Sequence, residues 1–382
     1  MDLSVVMPCL NEEKTIGNCI DLALDTMRSD GIEGEVLVVD NGSVDNSVSI
    51  ALEHGARIVH EDSKGYGYAL NRGFKEALGK YIVFADADES YDFSYVGEFC
   101  KRLRNGKDLV IGNRLTGSME KGAMPWLHRF LGTPVLTFFV RVLFKLRIRD
   151  INCGMRGISK EGYNKLELLC GGMEFASEMM IKAKIQGLII DEFPIDFKRD
   201  KRNRPPHLNT FRDGWRHMRF IFLFAPKALF LLLGLSLLSA GFILMILILF
   251  SLLGELGIFT MLVSQSLILL GAQFILYGVS SYGFSQFINS NQYPDRFSKF
   301  FTNFTIDKGV IIGGVLVLAG IVISVIAAVN LYEYMKNAQE ILFQVETTKW
   351  GFLGITLVIL GIQTVISSFY LCLFNIKKIY NN

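Results

Sequence analysis

The sequence predicts an α/β domain with a mainly parallel sheet, followed by a membrane domain of four helices. Over residues 1–227, short β-rich runs alternate with segments long enough to form helices, and charged residues are frequent. Over residues 228–382, long apolar stretches are separated by brief polar segments. Alternating strands and helices are typical of a parallel sheet with helices on its faces. We therefore expect two domains that meet near residue 227.

Composition and cysteine spacing exclude several classes of protein. The formal net charge is only +2, and the positive charge is concentrated between Arg141 and Arg219, so the chain as a whole does not resemble a nucleic-acid-binding protein. The six cysteines are scattered, with no CxxC pair and no metal-ligand spacing. Scattered cysteines are typical of a reducing compartment rather than of a disulfide framework.

Four β-rich runs in the first domain have the length of strands. They are residues 5–6, 36–39, 81–84 and 109–111. Helix-length segments lie between them and start near Asn11, Asp45, Gly67 and Ser94. Ligands of such sheets bind beyond the carboxyl ends of the strands. The polar residues that directly follow each run are therefore the candidates for a functional site.

Two aspartates, Asp86 and Asp88, follow the run 81–84 and flank Ala87. In an extended chain, residues i and i+2 point the same way, so both carboxylates can face one ion. Hard oxygen ligands at a strand end suit Mg²⁺ or Mn²⁺, with water and substrate phosphates completing the coordination shell. Isolated pairs of this kind are also common on protein surfaces, so the assignment depends on the neighbouring motifs.

The motifs after the predicted strands resemble those of the family 2 glycosyltransferases, which have the GT-A fold. They are Pro8-x-x-Asn11-Glu12, Asp40-x-Gly42-Ser43-x-Asp45, Lys64-Gly65-x-Gly67 and Asp86-Ala87-Asp88. Further motifs resemble the polyprenyl-phosphate branch, which includes the dolichol-phosphate mannose and glucose synthases. These are Gly112-Asn113-Arg114, the stretch 172–178 and the run 204–217. The resemblance covers roughly residues 3–223 and is specific only as a set.

The resemblance implies that the first domain binds a nucleotide sugar. The residues that would hold it are Pro8, Asn11, Glu12, Asp40, Lys64, Asp86 and Arg202. Carboxylates at the nucleoside would accept hydrogen bonds from base N–H groups and ribose hydroxyls. Asn41 replaces the second acidic residue of the usual Asp-Asp-Gly-Ser motif, which leaves the role of Asp40 intact but removes one charge.

The resemblance also implies a divalent metal at the donor diphosphate. Asp86 and Asp88 would bind Mg²⁺ or Mn²⁺, which neutralises charge on the departing nucleotide, and Asp88 is expected to be catalytic. Ser90 occupies the position of a third metal-site residue in the family. A hydroxyl is a poorer ligand than a carboxamide or carboxylate, which makes direct coordination by Ser90 the weakest part of this metal site.

An acceptor phosphate needs cationic partners. Arg114, also expected to be catalytic, together with Arg129 and Thr133, matches positions that bind the lipid phosphate in the relatives. Residues i and i+4 share a helix face, so Arg129 and Thr133 would grip one phosphate; alternatively, Arg129 is a solvated surface charge. A lipid monophosphate is ionised near neutral pH and can attack the anomeric carbon without a catalytic base. One direct displacement inverts the anomeric centre.

Two segments combine apolar and basic residues and are predicted to lie in the bilayer interface. Segment 134–149 is too short to span, and carries Arg141, Lys145 and Arg149 at helical spacing. Segment 211–224 has an apolar stripe with basic borders. The stripe consists of Phe211, Trp215, Met218 and Phe222. Basic amphipathic helices with aromatic anchors are typical of membrane surfaces, although both helices would alternatively pack on the soluble core. The basic run 199–207 would close over the donor diphosphate or contact anionic lipids.

The second domain contains four stretches long enough to cross a bilayer. They are residues 230–253, 259–282, 310–331 and 351–374. The distribution of lysine and arginine places the first domain, the middle connection and the tail in the cytoplasm, by the positive-inside rule. Leu270-Gly271-Ala272-Gln273 recurs as Leu360-Gly361-Ile362-Gln363, which suggests a repeat of two hairpins.

These features predict a membrane-bound inverting glycosyltransferase, in the plasma membrane of a prokaryote. It would transfer a hexose from a UDP- or GDP-linked donor to undecaprenyl or dolichyl phosphate. A processive polysaccharide synthase is disfavoured because no Gln-x-x-Arg-Trp motif is present. Another lipid or glycan acceptor, or a non-catalytic subunit of a flippase, remains the alternative, and a homo-oligomer is left open. The intact set of polar residues at the strand ends argues against the non-catalytic reading.

Overall fold

The computed structural model describes residues 1–201, 210–250, 258–288, 306–337 and 341–373. Within them the chain forms two compact units, Met1–Phe224 and Ala225–Asn382. The first unit contains a mixed sheet covered by helices, and the second consists of long apolar helices.

The first unit is built on a seven-stranded sheet. Its strands are β1 (Leu3–Cys9), β2 (Gly34–Asp40), β3 (Arg57–His60), β4 (Tyr81–Phe84), β5 (Leu109–Asn113), β6 (Arg156–Ser159) and β7 (Ile190–Pro194). Their order is β3-β2-β1-β4-β6-β5-β7. Strand β6 runs antiparallel to β4 and β5, and every other pair of neighbours is parallel. The predicted mainly parallel sheet is confirmed.

The four strands that the sequence predicts are the ones that the core buries on both faces. In β1, β2, β4 and β5 the central residues are almost all inaccessible, which explains their continuous apolar runs. The strands that were not predicted lack such a run. Strand β6, for example, begins with Arg156, which is fully buried, and its guanidinium donates to the carbonyl oxygens of Ile151, Cys153 and Ala176. A buried, fully bonded arginine gives no strand signal in sequence.

Eight helices accompany the sheet. They are α1 (Ile16–Ser29), α2 (Ser47–Glu53), α3 (Tyr66–Glu76), α4 (Val96–Arg104), α5 (Thr133–Phe144), α6 (Lys160–Leu166), α7 (Phe175–Ile185) and α8 (Thr210–Phe224). A π-helical turn, His128–Gly132, leads into α5. The helix predicted over 134–149 ends earlier, at Phe144, because Lys145 adopts a left-handed conformation with φ of 54°. Arg149 therefore does not continue the helical spacing of Arg141 and Lys145.

Helices α5 and α8 are partly packed on the core and partly exposed. The rings of Phe139 and Phe222 meet at a centroid distance of 5.3 Å, and Met218 also packs against the core. Trp215, in contrast, keeps 63% of its surface exposed. The packing on the core is thus observed, while the location of the exposed side chains in the bilayer interface stays a prediction.

The second unit contains four helices of membrane-spanning length. These are α9 (Pro226–Leu249), α10 (Ile258–Ile288), α11 (Ile306–Asn337) and α12 (Ile341–Leu373). Their apolar spans are Leu229–Leu249, Phe259–Tyr282, Ile306–Glu333 and Thr347–Leu371. Each span exceeds the roughly 18–20 residues that a bilayer requires. The chain is an integral membrane protein with the four predicted spans.

Glycines bring the two helices of each hairpin into close contact, and the contacts repeat. A Cβ on Gly271 would meet the backbone of Gly234 in α9, and a Cβ on Gly361 would meet the backbone of Gly313 in α11. One hydrogen bond joins the two hairpins, from Gln363 Nε2 to Gln273 Oε1 at 3.3 Å, across 90 residues of chain. Equivalent glycines therefore pack equivalent helices, as expected for an internal repeat.

We predict that Gly313→Ala destabilises the membrane unit, whereas Gly314→Ala does not. A Cβ on Gly313 would lie 2.6 Å from the carbonyl oxygen of Gly361, whereas no heavy atom lies within 4 Å of a Cβ on Gly314. Overpacking at such a contact typically costs about 1–3 kcal/mol. Thermal unfolding of the two full-length variants in the same detergent measures the difference. Equal unfolding temperatures would show that the glycine contact does not determine the packing.

Candidate active site

The loops after β1 and β2 are joined into one wall at the carboxyl end of the sheet. The N–H groups of Asn11 and Glu12 donate to the hydroxyls of Ser43 and Ser47, at 3.0 and 2.7 Å. In return, the N–H of Val44 donates to Asn11 Oδ1 at 2.8 Å. Asn11 has φ of 58°, a conformation that asparagine tolerates better than most residues. The motifs at Pro8–Glu12 and Asp40–Asp45 thus fold as one structure.

Asp40 is buried at the base of this wall. Its carboxylate accepts the N–H of Ser43 at 3.0 Å and lies 3.2 Å from Nδ1 of His60. Burial alone would raise the pKa of Asp40, but the hydrogen bonds from Ser43, His60 and Gly42 together lower that pKa below its usual value. The carboxylate is therefore ionised at neutral pH and oriented.

Asn41 connects the wall to the following loop. Its amide nitrogen donates to the carbonyl oxygens of Glu61 and Ser63, at 2.8 and 2.9 Å, and its Oδ1 accepts the N–H of Gly65 at 2.8 Å. An aspartate could not donate to two carbonyls. The replacement of an acidic residue by asparagine at this position thus has a structural reason.

The Lys64–Gly67 motif packs against the loop before α7. A Cβ on Gly67 would collide with the carbonyl oxygen of Cys170, and the N–H of Gly67 donates to the carbonyl of Gly171 at 2.9 Å. Glu178, in α7, holds this loop by accepting the N–H groups of Leu169 and Cys170. The glycines are required by this close approach, while the side chain of Lys64 is exposed.

The two aspartates after β4 lie in different surroundings. Asp88 is buried, and its Oδ1 accepts both the N–H of Ser90, at 3.0 Å, and the Ser90 hydroxyl. Asp86 is less buried and is hydrogen-bonded to the hydroxyl of Tyr66. Between Asp88 and Ser90, Glu89 adopts a left-handed conformation with φ of 61°, which folds the chain back so that Ser90 meets Asp88.

The carboxylates of Asp86 and Asp88 suit a magnesium or manganese ion that takes the rest of its ligands from substrate. Within the described ranges there is no group of three or more His, Cys, Asp or Glu side chains arranged to hold a metal. Mg²⁺ commonly binds one or two carboxylates and completes its shell with water and phosphate oxygens, so the donor set fits. The Ser90 hydroxyl donates a hydrogen bond to Asp88 and so contributes to the orientation of that carboxylate.

Arg114, after β5, forms a buried ion pair that the sequence did not reveal. Its Nε and Nη2 donate to the two oxygens of Asp150, at 2.8 and 2.9 Å, and its Nη1 donates to the hydroxyl of Tyr91 at 3.3 Å. Burial would lower the pKa of Arg114, but the adjacent Asp150 raises that pKa above its ordinary value, so the guanidinium stays charged. Among the described residues, three of its five N–H groups are engaged, and its guanidinium carbon lies 5.1 Å from the ring centre of Phe197.

Arg129 and Thr133 do not form the joint phosphate grip that their spacing predicts. Arg129 is exposed, with its guanidinium 5.5 Å from the ring centre of Phe130. Thr133 is buried, and its hydroxyl accepts a hydrogen bond from the Asn152 amide at 3.3 Å. Because one side chain is exposed and the other is enclosed by the core, the two do not share one surface.

A basic segment lies along the loop that carries Asp88. The N–H of Lys201 donates to the carbonyl of Asp88 at 3.3 Å, and the Lys201 ammonium pairs with Glu89. The N–H of Lys198 donates to the carbonyl of Ser90 at 3.0 Å. This segment leads to Arg202, which lies outside the described residues.

Sequence spacing offered no signal for these contacts, nor for those of Tyr66, Tyr91 and Asp150, because each pair is distant along the chain.

Comparison with known proteins identifies the family. The family described as "Glycosyl transferase family 2" matches residues 4–167 of this chain. The family described as "Glycosyltransferase family 2 C-terminal transmembrane region" matches residues 285–375. Among solved structures, glucosyl-3-phosphoglycerate synthase from Mycobacterium tuberculosis, in complex with Mg²⁺ and uridine diphosphate, is 23% identical with a TM-score of 0.46. That match covers 58% of this chain and 77% of the other.

Two curated relatives come from Haloferax volcanii. The low-salt glycan biosynthesis hexosyltransferase Agl6 is 37% identical over 324 residues, which cover 84% of this chain and 77% of that protein. A dolichyl-phosphate hexose transferase is 30% identical over 213 residues, or 56% of this chain and 89% of that protein. With its GT-A sheet and its transmembrane region, the chain is a glycosyltransferase and belongs to family 2.

Proposed function

We propose that the protein transfers a hexose from a UDP- or GDP-linked sugar to a polyprenyl phosphate, either undecaprenyl or dolichyl phosphate, with inversion. The observation that carries the proposal is the pair Asp86 and Asp88, which stands at a strand end beside the wall that holds Asp40. Four membrane spans agree with an acceptor that is a lipid. The names of the two relatives from Haloferax volcanii support both the hexose and the lipid phosphate.

We assign the nucleotide-sugar donor to the side of the sheet edge where the acidic residues lie. The residues proposed for the nucleotide sugar are Pro8, Asn11, Glu12, Asp40, Lys64, Asp86 and Arg202. A Mg²⁺ or Mn²⁺ ion held by Asp86 and Asp88 would supply positive charge to the diphosphate as the nucleotide leaves. The depressed pKa of Asp40 keeps it a hydrogen-bond acceptor, which suits ribose hydroxyls or base N–H groups.

We assign the acceptor lipid phosphate to the side of the sheet edge that carries arginines, beyond β5. A lipid monophosphate has a second pKa of about 6, by analogy with phosphorylated side chains, so it is a competent nucleophile without a base. Arg129 is proposed to attract the phosphate, because its guanidinium is exposed. Arg114 would align the phosphate through the two N–H groups that do not bond Asp150 or Tyr91. Thr133, which is buried and accepts a hydrogen bond from Asn152, would support this region from the core side. Alignment and electrostatics then supply the rate enhancement.

We expect purified full-length protein to release nucleotide from a sugar donor only when a polyprenyl phosphate and Mg²⁺ or Mn²⁺ are present. Screening UDP- and GDP-linked hexoses identifies the donor. The Asp88→Asn variant should be folded but inactive, because a neutral amide weakens the metal site at the diphosphate. Release of nucleotide with a glycan acceptor, and none with polyprenyl phosphate, would contradict the proposed acceptor. Full activity of folded Asp88→Asn would contradict the metal assignment.

We expect Arg129→Ala to reduce use of the lipid phosphate by roughly ten- to a hundredfold, because a charge-assisted hydrogen bond is worth about 1.5–3 kcal/mol. Nucleotide affinity, measured without acceptor, should be unchanged. Arg129→Lys should restore only part of the activity, since an ammonium cannot form the planar two-pronged contact. Lys121→Ala, which removes an exposed cation nearby in sequence, is the matched control. If Arg129→Ala weakened nucleotide binding equally, the residue would belong to the donor site.

We also propose that the catalytic unit faces the cytoplasm, at the plasma membrane of a prokaryote. The support is the lysine and arginine bias of the connection between α10 and α11 and of the tail. Cysteines introduced at Lys121 and at Ala338, between α11 and α12, should react oppositely with a membrane-impermeant maleimide. In intact cells only Ala338→Cys should be labelled, with the parent chain as background control. Labelling of Lys121→Cys from outside would reverse the orientation.

A further inference from the structure

Four cations gather where α5 ends. Arg141 lies one turn before Lys145, which ends the helix in a left-handed conformation. Beyond it the chain alternates in exposure, because Lys145, Arg147 and Arg149 are exposed while the residues between them are buried. Alternation of this kind places every second side chain on the same face. The early end of α5 therefore exposes Arg147 together with Lys145 and Arg149, whereas a continuous helix would have placed Arg147 on a different face.

These side chains line a depression of about 660 Å³. Its cationic lining consists of Arg141, Lys145, Arg147 and Arg149. Its apolar lining includes Leu115, Pro134, Phe138, Val142 and Leu146. The depression thus combines a concentration of positive charge with an apolar wall, which is the chemistry that recognises an anionic group attached to a hydrocarbon.

The four cations have no acidic partner in the part of the chain that the structure describes. Within the described residues, no carboxylate oxygen lies within 4.0 Å of any of these four charged groups, although the backbone N–H of Arg149 donates to Glu192 Oε1 at 2.8 Å. In the same unit, Arg102 pairs with Glu98 and Asp191, and Lys198 pairs with Asp92. Like charges held side by side repel one another, and a bound anion would relieve that repulsion. The surface is therefore complementary to an anion that the chain itself does not provide.

Exposed apolar side chains lie beside the charge. Phe138 and Val142, on α5, keep 60% and 51% of their surface exposed, and Trp126 and Phe130, just before α5, keep 71% and 61%. Aromatic and aliphatic side chains next to lysine and arginine are typical of a surface that enters the boundary between headgroups and acyl chains. In an integral membrane protein, this identifies the source of the anion as a lipid of the bilayer.

We propose that this depression binds the phosphate headgroup of an anionic glycerophospholipid, at a site separate from the one that takes the acceptor lipid. The segment that carries the cations continues directly into Asp150, whose buried carboxylate holds Arg114. The proposal depends on the membrane spans and this surface, and it stands whichever sugar acceptor the enzyme uses.

The test compares lipid binding by full-length variants in a neutral detergent. The test variant combines Arg141→Gln, Lys145→Gln and Arg147→Gln, and leaves Arg149 unchanged because it adjoins Asp150. The control variant combines Lys75→Gln, Lys80→Gln and Lys101→Gln, which removes the same charge from exposed positions elsewhere in the unit. Native mass spectrometry counts bound short-chain phosphatidylglycerol and phosphatidylcholine on each protein, and thermal unfolding verifies that each is folded.

We expect the parent and the control variant to retain phosphatidylglycerol in preference to phosphatidylcholine. The test variant should lose roughly ten- to a hundredfold in phosphatidylglycerol affinity, since each cation near a membrane surface contributes about a tenfold factor or less. Equal binding of both lipids by the parent, or unchanged binding by the folded test variant, would overturn the proposal. So would displacement of the lipid by millimolar inorganic phosphate, which would indicate a site for free phosphate. Displacement by equimolar polyprenyl phosphate would assign the depression to the acceptor.

Discussion

The active-site end of the sheet depends on orienting several carboxylates that follow neighbouring strands. Main-chain N–H groups accomplish this. Asp40 accepts the N–H of Ser43, Asp45 accepts that of Ser47, and Asp88 accepts that of Ser90. In each case the donor lies two or three residues beyond the acceptor, so each strand-end loop folds around its own aspartate. These N–H groups orient the carboxylates and stabilise their charged form, which suits the divalent ion and the diphosphate proposed for this site.

The opposite half of the site is organised by buried arginines. Arg156 donates to three backbone carbonyls, and Arg114 forms a two-pronged pair with Asp150. Removing one partner of such a pair would leave a buried charge without compensation, which is far more costly than the pair itself is stabilising. Both arginines thus define the shape of the segment 150–156, which lies between β5, Tyr91 and α7. The proposed donor side is held by loops that enclose carboxylates, and the proposed acceptor side is held by side chains that bond between separate elements.

The two halves of the site were not equally predictable from the sequence, and the reason is physical. The donor side is encoded locally, because each aspartate and the N–H that it accepts belong to one short motif. The local geometry can therefore be predicted from the sequence of two motifs, Asp40-x-Gly42-Ser43 and Asp86-Ala87-Asp88. The acceptor side is encoded by contacts between distant residues. Asp150 is 36 residues from Arg114, and the separation of Tyr91 from Arg114 is 23 residues. No spacing rule links such pairs, and the i, i+4 rule applied to Arg129 and Thr133 does not reveal that one is exposed and the other buried.

The sequence by itself determined the family, the mainly parallel sheet and the four spans, since apolar runs and strand-end motifs are local features. It also placed Asp86 and Asp88, the proposed metal ligands, after a strand. Only the tertiary structure decided that Arg114 is paired, that Thr133 is buried and that Asn41 joins two loops. It also decided that α5 ends at Phe144 and exposes its cations on one face. Each of these outcomes depends on which distant group occupies the neighbouring space. That group is selected by packing and hydrogen bonding across the whole unit. A pattern along the chain does not show which group it is.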